Sequence, residues 1–72
     1  MELSKKDLLI KEKYVFLGQM RYRIQVVGTN IILNISAEND DEAYEKALNM
    51  TRKMGLTKDI VNIIKNRIQE RL

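Results

Sequence analysis

From Tyr14 to Val26 the even-numbered positions read Tyr14, Phe16, Gly18, Met20, Tyr22, Ile24 and Val26, while the odd positions from 19 to 25 are Gln19, Arg21, Arg23 and Gln25. A period of two built from aromatic and β-branched residues specifies strand, with one face apolar and the other wet. Gly28 and Thr29 separate this run from a second one, Ile31 to Ala37. A two-residue type II′ turn at Gly28-Thr29 sets Val26 against Ile31, Ile24 against Leu33 and Tyr22 against Ile35, which gathers the apolar residues on one face. A three-residue loop would pair Gln25 with Leu33 and mix the faces. The first run is longer than the second, so Tyr14 to Leu17 lack a partner unless Gly18-Gln19 folds them back as a third strand. Two arrangements follow, a three-stranded meander or a dimer that shares strands through an open edge.

The flanks read as helices. Ser4 with Asp7 three residues on, followed by Leu8, Leu9 and Ile10, predicts a short capped helix within Leu3 to Lys13, with an extended arm as the alternative. Asn39 with Glu42 forms a capping-box pattern ahead of Ala43, Tyr44, Ala47, Leu48, Thr51 and Met54 at helical spacing. Gly55 closes that helix, with Met50 and Leu56 placed for the apolar contact that accompanies such an end. Thr57 then caps a last helix whose stripe is Ile60, Val61, Ile64, Ile68 and Leu72. The expected fold is α+β over a single small domain, residues 1–72. A short N-terminal helix leads into an antiparallel β-hairpin or three-stranded meander, and two C-terminal helices pack on one face of the sheet.

Composition narrows the function. The 72 residues include no Cys, His, Trp or Pro, which removes disulfides, zinc fingers, thiol nucleophiles and imidazole acid/base chemistry. The acids Glu38, Asp40, Asp41 and Glu42 are explained by helix capping, so no metal and no cofactor is expected. A non-enzymatic protein without a small-molecule substrate is the expectation. No apolar stretch approaches the roughly 20 residues that span a bilayer, and the N-terminus lacks a secretion-type segment, which argues for a cytoplasmic protein and no membrane partner. A chain this short buries only about 60% of its unfolded surface, and homodimerisation through an open strand edge is the natural supplement.

The formal charge of +3 conceals an uneven distribution: residues 46–72 carry seven Lys and Arg against Asp59 and Glu70. Met54-Gly55-Leu56-Thr57-Lys58-Asp59-Ile60-Val61-Asn62-Ile63-Ile64, within residues 47–66, resembles the turn and second helix of helix-turn-helix DNA-binding proteins, the matching residues being Gly55, Leu56, Thr57, Val61 and Ile64. That resemblance implies that Thr57, Lys58, Asp59, Asn62, Ile63 and Asn66 face the major groove, with Asn62 and Asn66 on bases and Lys58 on phosphate. The alternative is an ordinary αα corner capped by Gly and Thr. Arg67 adds to the basic C-terminal helices. Arg21 and Arg23, beside Gln25, Asn34 and Ser36, form a second candidate nucleic-acid surface on the outer strand face, which parity leaves without stacking aromatics. The competing function is a protein-interaction or assembly module using Val15, Leu17, Val27, Ile32 and Ile63.

Overall fold

Leu17 and Gly18 fold the long period-two segment back on itself, so it makes two strands. The computed structural model describes residues 2–70. A single 3-10 turn, Lys5–Asp7, leads into β1 (Leu8–Phe16), β2 (Gln19–Val26) and β3 (Ile32–Ser36), followed by α1 (Asp40–Lys53) and α2 (Lys58–Glu70). The strands form one antiparallel sheet in the order β1-β2-β3. The fold is thus α+β, and of the two arrangements left open it is the meander. Tyr14, Val15 and Phe16 pair with Arg21, Met20 and Gln19 of the same chain.

The predicted N-terminal helix shrinks to one turn. Its capping pair exists: the Asp7 carboxylate accepts the Ser4 backbone N–H at 2.8 Å and the Ser4 hydroxyl at 3.2 Å. Propagation fails because a short isolated helix is marginal in water. As a strand, in contrast, Leu8 and Ile10 stand opposite Val26 and Ile24 on the core side. Tertiary pairing therefore overrides the local capping signal.

Two devices set the register of β1. Leu17 and Gly18 have φ of 52° and 77°, the sign pattern of a type I′ turn, whose twist suits a hairpin. Phe16 then lies opposite Gln19, and the rest of the strand counts back from there. A bulge between Ile10 and Glu12 inserts Lys11 and shifts the pairing by one, so that Ile10 meets Ile24 while Glu12 meets Arg23. At the other end of β2 the expected register holds: Tyr22 faces Ile35 and Ile24 faces Leu33. The connection differs from the expected two-residue turn. The N–H and hydroxyl of Thr29 both donate to the carbonyl of Val26, at 3.1 and 2.7 Å, and the Thr29 hydroxyl accepts from the N–H of Ile31 at 3.0 Å. A turn over Val26–Thr29 inside a loop of residues 27–30 preserves the same pairing because it adds an even number of residues to the connection.

Tyr22, Ile24, Val26, Leu33 and Ile35 meet Leu3, Leu8, Ala43, Ala47, Leu56 and Val61 in one core, with Ile24 and Val26 fully buried. Ala43 and Ala47 bring α1 close to the sheet. The Asn39 side chain accepts the Glu42 N–H at 2.8 Å, while the Glu42 carboxylate turns to Lys46, 3.1 Å away. At the far end Gly55 donates to Arg52 and Leu56 to Thr51, the two bonds of a Schellman motif. Thr57 caps α2 weakly, its hydroxyl accepting from Ile60 at 3.4 Å. Val61 is buried and Ile64 half-buried, as the stripe predicts, but Ile60 is exposed; Leu72 lies outside the described residues. No described helix is long and apolar enough to cross a membrane.

Lys13 ties the sheet to the helix layer. Its ammonium lies 2.7 Å from the Asp40 carboxylate and above the Tyr22 ring. Its hydrogen bond holds the Asp40 carboxyl below the usual carboxylate range. A carboxyl with a lowered folded pKa contributes stability above its unfolded pKa, and that contribution is lost as pH falls through the folded value. Asp40→Asn is therefore expected to lower the Tm at neutral pH, with the difference from wild type closing as the pH drops below 3.8; thermal melts across the acid range check this. At Gly28, φ is +81° and the aliphatic stem of Lys65 lies where a Cβ would stand. Gly28→Ala is expected to cost about 1–2 kcal/mol, the penalty of the left-handed backbone. Because the Lys65 stem can swing aside, the loss should hardly exceed that of Gly18→Ala, where the space is open. Urea midpoints of the two variants measure the comparison.

Candidate functional site

The sheet has one covered face and one open face. Strand alternation sends Leu9, Glu12, Tyr14 and Phe16 of β1 to the open side, with Gln19, Arg21, Arg23 and Gln25 of β2 and Ile32, Asn34 and Ser36 of β3. Three rows cross it: Tyr14-Arg21-Ser36, Glu12-Arg23-Asn34 and Leu9-Gln25-Ile32. Arg21 and Arg23 lie two residues apart on the central strand, about 6.6 Å along it.

The placement of Tyr14 and Phe16 corrects the parity reading, which put both rings on the apolar side with Tyr22. Counting across the Leu17-Gly18 turn pairs Tyr14 with Arg21 and Phe16 with Gln19, so both rings share the arginine face. Phe16 is 51% exposed, and the Arg21 guanidinium lies 5.3 Å from its ring centroid, within cation–π range. The Arg21 side chain makes no ion pair or hydrogen bond among the described residues, and its Nε is buried without a partner. Arg23 pairs with Glu12 at 3.8 Å; both are about half exposed, and such a pair contributes about 0–1 kcal/mol. It is thus readily exchanged for another anion. Gln25 donates to the Thr29 carbonyl at 2.8 Å, and Ser36 reaches Gln19 at 3.4 Å.

The residues singled out as nucleic-acid contacts fall into two separate groups. Arg21 and Arg23 occupy the open sheet face, while Thr57, Lys58, Asn62, Asn66 and Arg67 belong to the helix layer on the other side. In that second group Thr57 forms an isolated bridge with Glu2, and the half-buried Lys58 contributes to holding the Asp7 carboxyl low, after the larger effect of the Ser4 hydrogen bonds. Asn62, Asn66 and Arg67 are exposed. The apolar residues considered as a partner surface, Val15, Leu17, Val27, Ile32 and Ile63, are all exposed but do not form one patch. Val15 and Leu17 sit at the β1-β2 turn and Val27 at the opposite end of β2, with Ile32 on β3 and Ile63 on α2.

The turn that places the rings falls at Leu17-Gly18, one residue before the expected Gly18-Gln19, and as a two-residue hairpin it inverts parity between its two strands. Comparison with protein families, with characterised proteins and with solved structures finds no match to this chain.

Proposed function

We propose that this chain is a non-enzymatic binding protein that takes single-stranded nucleic acid across its open sheet face. The observation that carries this reading is the Arg21 guanidinium stacked over Phe16, with Tyr14 in the neighbouring strand position and Arg23 next along β2. Single-strand binding needs two things from a surface: ring faces on which bases stack, and cations that follow the backbone. Rows of Tyr14, Phe16, Arg21 and Arg23 supply both on a face that no described helix covers. Gln19, Gln25, Asn34 and Ser36 add hydrogen-bonding groups able to meet base edges or the sugar 2′-hydroxyl. The dispersal of the exposed aliphatic residues over both ends of the molecule favours this reading over a single protein-docking patch.

Two arginines make a modest electrostatic contribution. With two phosphate contacts, log K should fall against log salt with a slope of about −1.4, and Arg21→Ala should reduce its magnitude by about 0.7. Phe16→Ala should weaken binding about 5- to 150-fold, the 1–3 kcal/mol of one stacked base. Fluorescence anisotropy with a labelled oligothymidine and oligouridine, read at several salt concentrations, measures all three. Asn62→Ala and Asn66→Ala, on α2, should leave the affinity unchanged. Absence of binding at low salt rejects the proposal. Loss of binding in the α2 variants with none in Phe16→Ala moves the interface to the helices and equally rejects the sheet face.

A further inference from the structure

The two edges of the sheet are built differently. β1 carries a bulge and the charged run Lys11-Glu12-Lys13 in its middle, devices that discourage another strand from pairing there. β3 is regular and reads Ile-Leu-Asn-Ile-Ser, without charge. Val26 donates to the Ile31 carbonyl and Ala37 to the Met20 carbonyl. The antiparallel alternation therefore turns the N–H and C=O groups of Ile32, Asn34 and Ser36 away from β2. All three residues are exposed, and of these outward groups the Ser36 carbonyl is taken by Lys46 at 2.8 Å.

We propose that this edge pairs with the same edge of a second copy, antiparallel about a two-fold axis at Asn34. A strand of residues 32–36 centred on position 34 overlaps its copy fully only in this register. Asn34 then lies against Asn34 of the partner subunit, and Ile32 against Ser36 of the partner subunit. No like charges are opposed, so the edge is self-complementary, which a Lys-bearing edge is not. A five-residue edge buries less than the roughly 1,200 Å² of stable interfaces, so the dimer forms at high protein concentration. Its open faces join into a six-stranded platform in which the two copies of Arg23 lie three strand spacings apart, about 14 Å. The pairing stands independently of the nucleic-acid reading; its use rests on that reading, since a strand crossing both faces is held by two linked sites.

Sedimentation of the chain without oligonucleotide should show the mass rising from 8.5 kDa towards twice that value with concentration. Asn34→Asp and Asn34→Lys should each remain monomeric, because each sets like charges directly opposite, and an equal mixture of the two should recover the dimer. Asn34→Pro, which removes an outward-facing N–H and breaks no hydrogen bond to β2, should give the same monomer by a route without charge. A wild-type chain that stays at 8.5 kDa up to millimolar concentration, or a mixture that fails to recover the dimer, overturns the proposal. In the same samples, an oligothymidine long enough to cross both faces should bind wild type more tightly than a short one, and Asn34→Asp should lose that gain. A dimer that binds no oligonucleotide leaves the pairing intact and rejects the functional reading. A monomer that binds long and short strands alike does the reverse.

Discussion

The extra residue at Lys11 is the constraint on which the rest of the molecule depends. With the hairpin end set by Leu17-Gly18, an unbroken ladder would place Leu9 and Lys11 opposite Val26 and Ile24. Ile24 is fully buried, and a lysine beside it would have to give up its hydration without a partner. The bulge removes that conflict by moving Leu8 and Ile10 into those positions. The same strand thereby serves the core at one end and, at the other, turns Tyr14 and Phe16 outward.

The charges follow from this geometry. The acids that open α1 are each engaged on the helix side: Asp40 with Lys13, Asp41 with Lys5 and Glu42 with Lys46, at 2.7, 3.7 and 3.1 Å. These pairs are exposed, so each contributes little to stability, but together they keep the acidic turn away from the open sheet face. Glu12 is the only carboxylate on that face among the described residues, and it faces Arg23. Arg21 is left over its aromatic neighbour. A chain of small net charge thus presents a cationic strip because its acids are drawn to a helix N-terminus.

Backbone strain is concentrated at the hairpin that orients the rings. Leu17 adopts a positive φ, a conformation that suits Asn or Gly, while its side chain is 85% exposed. Among the described residues it is not part of the core that could compensate for it. The turn is maintained by the pairing on either side, Phe16 with Gln19 and Val15 with Met20, so the strain is set against the same ladder that positions Phe16 and Arg21.

Much of the fold was legible in the residues themselves. Period two located the strands, the pairing of Tyr22 with Ile35 and Ile24 with Leu33 followed from parity, and Asn39, Gly55 and Thr57 marked the helix ends. These signals are local, arising from side-chain alternation and unsatisfied backbone groups within a few residues, and neighbours in sequence suffice to express them. Arg21 and Arg23 were legible as an outward row for the same reason. What only the tertiary structure decided is the conformation of residues 8–13 and the side on which Tyr14 and Phe16 lie. Ser4 and Asp7 cap a turn in either case, but strand pairing with Ile24 and Val26 outweighs a helix too short to stand alone. The face taken by a ring depends on whether the count between strands is odd or even. A two-residue turn and a one-residue bulge each reverse that count, and only the sheet as a whole shows where both occur.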